Sequence, residues 1–249
     1  MANIELHHGD ALEVMKSIQD NSIDLIFTDP PYGHNNNNND LIHRWEDALG
    51  VKKTDQEDAR PILNDGKEAN DLFKKCLHEY KRILVGSGGC CCCCCGGGGP
   101  DPQFARWSLW MDEVLSFDQM IVWDKGPMGM GWRYRRSYET VLVAHKGKSF
   151  KWYDDSHKIE NIIRNFRKII PTDKEHPTQK PVELATHFIR LHTKPGDTVL
   201  DPFMGSGTTG LACQLLGRNF IGIELDEQFY KMANARLSVA KLQPVLITA

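Results

Sequence analysis

The sequence predicts an α/β fold: a doubly wound, mainly parallel sheet covered by helices on both faces. Three observations carry this. Short runs rich in branched apolar residues alternate along the chain with amphipathic stretches of helical period, which is the pattern of βαβ units. Residues 197–224 hold one such unit in full: strand Thr198 to Asp201, a turn with Gly205 and Gly207, a helix to Leu216, and strand Phe220 to Glu224 ending on an acid. Finally, Gly9-Asp10, Asp29, Asp201 and Glu224 all fall where a strand runs out, so four segments converge on one rim, where open α/β sheets gather ligands.

Taken in order, Ile4 to His8 is a strand and Ala11 to Ile18 a helix, followed by the apolar strand Ile23 to Thr28. Glu68 to Lys81 has Leu72, Leu77 and Tyr80 on one helical face and leads into a strand over Ile83 to Cys95. Phe104 to Leu115 is helical; Gln119 to Trp123 and Tyr138 to Ala144 are extended, with Gly and Pro between Lys125 and Gly131 marking an open connection. Val182 to His192 is a helix bounded by Pro181 and by Pro195-Gly196. The Thr198 strand, the Thr208 to Leu216 helix, the Phe220 strand and a helix from Glu227 to about Ala240 complete the chain. The turn with Gly205 and Gly207 lies near the C-terminus, so the N-terminal strands must pack beside the C-terminal ones.

The chemistry is concentrated in Asp29-Pro30-Pro31-Tyr32, at the end of its strand. An exocyclic base amine is a poor nucleophile, because its lone pair is delocalised into the ring. A carboxylate and a rigid carbonyl accepting from that amine localise the lone pair and stabilise the charge that develops during attack. Pro30 and Pro31 restrict the turn, and Tyr32 offers a flat face for an extruded base. In the C-terminal unit, Gly205 and Gly207 let backbone approach a ligand, and Glu224 stands where an acid accepts from ribose hydroxyls. The spacing departs from the dinucleotide fingerprint and lacks the Gly-Lys-Ser/Thr of a phosphate cradle, so a nucleoside cofactor without pyrophosphate, S-adenosylmethionine, fits best.

On these residues the chain resembles the amino-group DNA methyltransferases of the permuted order called beta class. The resemblance covers nearly the whole chain and rests on Gly9-Asp10-Ala11-Leu12, Asp29 to Tyr32, the stretch Arg133 to Gly147, His176-Pro177-Thr178-Gln179-Lys180-Pro181 and Asp201-Pro202-Phe203-Met204-Gly205-Ser206-Gly207. It implies a seven-stranded Rossmann-like methyltransferase sheet with residues 119–123 and 138–144 as its antiparallel hairpin. It further implies catalytic roles for Asp29, Pro30, Pro31 and Tyr32, a cofactor site of Asp201, Pro202, Phe203, Gly205, Ser206, Gly207 and Glu224, Asp10 on the cofactor adenine, and Thr178, Gln179 and Lys180 closing over the methionine carboxylate. Taken alone, Asp10 is a helix N-cap. Asp at the first position of the tetrapeptide goes with adenine N6 in this family, Ser with cytosine N4 and Asn with protein glutamine, so the expected reaction is methylation of adenine N6. Cytosine N4 is the alternative, and two other classes stay open: an RNA methyltransferase, since flipping and stacking suit single strands, and a non-catalytic binding module, against which the intact tetrapeptide argues.

With 249 residues, 41% of them hydrophobic and 25% charged, the chain suits one catalytic domain over 1–249. Its formal charge of −3 excludes a uniformly basic coat but not a local one. Between Lys125 and Lys151 stand seven bases (Lys125, Arg133, Arg135, Arg136, Lys146, Lys148, Lys151) and a single acid, Glu139, and this polarity steers a polyanion to one side. The resemblance places target reading between the hairpin and the His176 segment, leaving residues 149–175. That segment holds Lys151, Trp152, Arg164 and Arg167, types suited to phosphate contact and base wedging. With Arg133, Arg135 and Arg136 they are the expected DNA contacts. So short a region implies short or relaxed specificity, as in solitary phage and prophage enzymes. Residues 34–66, with Asn35 to Asn39, are expected to be a mobile loop. Six consecutive cysteines, Cys90 to Cys95, cannot close a tetrahedral metal site by themselves, because neighbours on a strand point to opposite faces; they are expected to be a compact apolar strand with no metal. No apolar run approaches the length of a membrane span, so a cytoplasmic protein is expected.

Overall fold

The structure, a computed structural model, describes residues 2–33, 63, 65–66, 68–95, 103–126, 135, 137–166 and 180–242. Its elements are β1 (Ile4–His8), α1 (Ala11–Met15), β2 (Leu25–Thr28), α2 (Ala69–Ile83), β3 (Cys90–Cys95), α3 (Gln103–Val114), β4 (Ser116–Asp124), β5 (Tyr138–His145), β6 (Ile162–Ile163), α4 (Val182–His192), β7 (Thr198–Asp201), α5 (Thr208–Leu216), β8 (Asn219–Glu224) and α6 (Glu227–Leu242). They form one sheet in the order β1-β8-β7-β2-β3-β5-β4-β6. β5 pairs antiparallel with both β3 and β4, while every other pairing is parallel. Seven of these strands match the expected sheet and its hairpin; the eighth, the two-residue β6, docks on the edge of β4 through Ile163 beside Trp123.

The cysteine run divides the core. Period two along a strand sends Cys91, Cys93 and Cys95 to the face covered by α2 and α3, against Phe73, Leu77, Tyr80, Trp107 and Met111. Cys90, Cys92 and Cys94 go to the face covered by α4, α5 and α6, against Leu184, Phe188, Ala212 and Leu237. All six are buried, as expected of a central strand with helices on both sides. The strand is shorter than the Ile83 to Cys95 expectation, because Ile83 completes α2 and Leu84 makes only an isolated bridge to Ile23. A glycine turn follows, with Gly89 N–H donating to the Val85 carbonyl at 3.0 Å.

Because all strands but β5 run the same way, the carboxyl ends of β1, β2, β7 and β8 share one rim. Thr28 ends β2 and Asp201 ends β7, and the Thr28 hydroxyl donates to Asp201 Oδ1 at 2.9 Å. The strand carrying the proposed catalytic turn is thereby bonded directly to the strand carrying the glycine turn.

Candidate active site at the carboxyl rim

One cavity at this rim is lined by Asp10, Asp29, Pro30, Pro31, Tyr32, Lys180, Asp201, Pro202, Phe203, Gly205, Ser206 and Glu224. Twelve residues singled out in the sequence therefore meet in one place. Gly207 does not line it. With φ +78° Gly207 caps α5, and a Cβ there would stand 3.1 Å from the Ala233 Cβ, so its role is to turn the chain against α6. Thr178 and Gln179 lie outside the described residues, as do Arg133, Arg136, Arg167, the asparagine run and nearly all of 34–66.

At the catalytic turn, the Tyr32 hydroxyl donates to Asp29 Oδ1 and the Lys180 ammonium donates to Asp29 Oδ2 at 2.5 Å. Lys180 also faces Glu139 at 3.4 Å, and Glu139 accepts from Lys125 at 2.9 Å. Burial alone would discharge Lys180, but the carboxylates of Asp29 and Glu139 hold it protonated well above its ordinary range. Burial likewise opposes ionisation of Glu139, yet Lys180 and Lys125 outweigh it and bring the carboxyl down to about 2. Burial, with Asp29 and Glu139 nearby, keeps the Tyr32 phenol neutral far above its usual pKa, so it serves as a donor. The backbone of the turn is held separately: Asp65 Oδ1 accepts from the N–H groups of Tyr32 and Gly33, both at 2.8 Å, and Gln103 Nε2 donates to the Tyr32 carbonyl at 2.5 Å.

On the glycine-turn side, Asp201 is consumed by the protein itself. It accepts from Thr28, from Thr209 at 2.6 Å and from the Phe203 N–H at 3.2 Å, and burial pushes its carboxyl up to about 7 against those bonds. Glu224 Oε2 accepts from the Gly205 N–H and Oε1 from the Asp226 N–H, each at 2.9 Å. Burial raises its pKa against these two bonds. A carboxylate has about four acceptor sites, so each oxygen retains capacity for a ribose hydroxyl. Asp10 is the N-cap of α1, with Oδ1 accepting from the Leu12 and Glu13 N–H groups at 2.9 and 3.1 Å, and it lines the cavity as well. With Phe203 and Phe229 as apolar walls, this part of the cavity fits a nucleoside with a free ribose edge.

The expected DNA contacts divide. Lys151 pairs through its ammonium with Asp24 at 2.6 Å ahead of β2, at the opposite end of the sheet from the catalytic turn. Trp152 is drawn to the same end, packed against Phe150 and the ring of His192, so it does not reach the rim. Arg164 follows β6 on the carboxyl side and is exposed, paired with Glu160 at 2.7 Å. Arg135 is exposed. Sequence reasoning missed Asp65, Gln103 and Glu139 as site residues. Asn64-Asp65-Gly66 is a turn signature, and Glu139 is the lone acid in a basic stretch; Gln103 carried no signal.

A family model described as DNA methylase (N6_N4_Mtase) matches residues 23–235. The chain is 32% identical over 255 residues to the type II methyltransferase M.HinfI of Haemophilus influenzae, covering 95% of this chain and 68% of that protein. It is 29% identical to the DNA adenine methyltransferase YhdJ of Escherichia coli strain K12, covering 94% and 82%. Among solved structures, the M1.HpyAVI complex with S-adenosylmethionine superposes with TM-score 0.65 at 27% identity over 94% of this chain and 99% of that one. The cytosine-N4-specific PvuII methyltransferase shares the fold, with TM-score 0.69 at 23% identity over 95% and 86%. The site and sheet define an α/β methylase, and the chain belongs to this DNA methylase family.

Proposed function

We propose that this protein uses S-adenosylmethionine to methylate the N6 amine of an adenine turned out of duplex DNA. The observation that carries the reading is the joining of Asp29, Pro30 and Tyr32 with Glu224 and the Gly205 turn in one cavity. Glu224, Asp10 and the Phe203 and Phe229 walls hold the nucleoside, and Ser206 with the Gly205 backbone borders the methionine end. When bound, the cofactor supplies an electrophilic methyl group. Asp29 and the Pro30 carbonyl accept from the base amine, drawing its lone pair out of conjugation and bearing the positive charge that grows on nitrogen. Tyr32 presents its ring to the base while its hydroxyl fixes the Asp29 carboxylate. No covalent enzyme intermediate is needed; acceleration comes from position and from preorganised acceptors.

The adenine assignment is supported by the Asp at position 29 and by the adenine-named relative YhdJ. Lys151 and Trp152 are drawn away from the rim, and the shortness of segment 149–175 supports short or relaxed specificity. Incubation of DNA with protein and cofactor, followed by nucleoside mass spectrometry, should yield N6-methyladenine from the unaltered protein. Asp29→Ala should yield at least about 100-fold less, the scale of losing a preorganised acceptor. N4-methylcytosine as the product would overturn the adenine reading, and product on structured RNA alone would move the substrate class. Mapping of the modified positions tests specificity: confinement to one site of four or more defined bases would contradict relaxed recognition.

A further inference from the structure

The cysteine strand meets an imidazole that its sequence neighbourhood does not contain. Cys90 and Cys92 project to the same face of β3, their sulfurs 3.6 Å apart, and His192, the last residue of α4, brings a ring nitrogen within 4.8 Å of both. Two thiolates bound tetrahedrally to one zinc ion at about 2.3 Å stand about 3.8 Å apart, so the pair is already at chelating distance. The His192 ring is oriented as a ligand: Nδ1 faces the Lys151 carbonyl at 3.1 Å, which can only accept, so in the neutral ring the lone pair is on Nε2. The ring plane is pinned by edge contacts to Phe150 and Trp152 at 5.2 and 5.5 Å. His145 lies across from Cys90 in the β3–β5 register, and its Nδ1 is buried without a hydrogen-bond partner. A second cavity, bordered by Val143, Phe150, Trp152 and His187, reaches His192.

The other face of the strand is an internal control. Cys91 and Cys93 are as close, at 3.4 Å, but no imidazole joins them; among the described residues Cys90, Cys92 and His192 form the only metal-capable cluster of three.

We propose that Cys90, Cys92 and His192 bind a structural Zn2+ ion, with His145, opposite Cys90 in the register, as the candidate for the fourth position. The ion ties the amino end of β3 to the carboxyl end of α4, at the opposite end of the strands from the methylation site. Elemental analysis of protein purified from zinc-supplemented cells should find about one zinc per chain. After chelation, Co2+ should produce sulfur-to-cobalt charge transfer and intense tetrahedral visible bands. Cys92→Val should reduce bound metal to below about a tenth of an ion per chain, while Cys93→Val on the opposite face keeps it. If Cys92→Val does not fold, the unaltered protein decides: chelation should lower its melting temperature and zinc should restore it. Folded protein that takes up neither ion, or binding that survives Cys92→Val, would overturn the proposal.

Discussion

Asp29 has both oxygens engaged before any base arrives, one by the Tyr32 phenol and one by the Lys180 ammonium. Each oxygen keeps a second acceptor site, so a base amine can join these donors or replace Lys180, whose ammonium presents to Asp29 the same N–H donor that the amine would. The resemblance put Lys180 on the cofactor carboxylate; the structure sets it between Asp29 and Glu139, a step away in the same cavity. Lys180→Met should destabilise the fold by about 2 kcal/mol at pH 7, below the 3–5 kcal/mol of a fully buried pair because Asp29 is partly exposed. The sign with pH follows from Glu139. Its folded pKa, about 2, lies below its unfolded value, so its contribution is complete above about 4.3 and is lost as pH falls toward 2. Without Lys180 that acid is less favoured, so the gap between the proteins should be widest near neutrality and narrow below about pH 4, which thermal melts across pH would show. Asp201 behaves oppositely. Its folded pKa is raised to about 7, so the folded state retains a proton that the unfolded chain loses above about 3.9, and stability declines from about pH 4 to 7. Asp201→Asn should flatten that decline; a melt series with an unchanged slope would contradict it.

At the level of elements, what was legible depended on period and punctuation. α4 was found at both ends because Pro181 and Pro195-Gly196 bracket an apolar face, and the Thr198 to Glu224 unit because its glycines and terminal acid follow a known order. β6 was not found, since two residues have no period; it exists because Ile163 fills a place beside Trp123 on the sheet edge. The supports of the catalytic turn were hidden for a similar reason. Asp65 and Gln103 act singly from separate segments, and only the fold brings them to Tyr32. Asp65 is 1% exposed and accepts two backbone N–H groups, so Asp65→Ala leaves two donors without their acceptor. The expected result is a loss of about 2 kcal/mol in stability and a fall in kcat larger than any change in cofactor affinity, because the glycine turn does not depend on it. Single-turnover rates together with cofactor titration would separate the two. A fall in cofactor affinity matching the fall in rate would mean that the two turns are one unit, joined through the Thr28–Asp201 bond.

Over the whole molecule, the cofactor half and the base half are held by different strands, which pair side by side through β7 and β2 and present their turns at the same rim. β8 and β7 carry Glu224 and the glycine turn, β2 carries the Asp29 turn, and the α4 side contributes Lys180. A ligand that binds the folded rim and not the unfolded chain stabilises all of these together by mass action. At about 100 times its dissociation constant, S-adenosylmethionine should add about 2.7 kcal/mol, and a chain of this size gains roughly 2–4 °C per kcal/mol, so the melting temperature should rise by roughly 5–11 °C. Glu224→Ala removes the proposed ribose acceptors and should abolish most of that rise at the same concentration, whereas Asp29→Ala should preserve it, since Asp29 serves the base. Scanning fluorimetry of the three proteins with and without cofactor distinguishes these outcomes. Equal loss of the shift in both variants would mean that Asp29 holds the cofactor, and the division of the rim into a nucleoside half and a base half would fail.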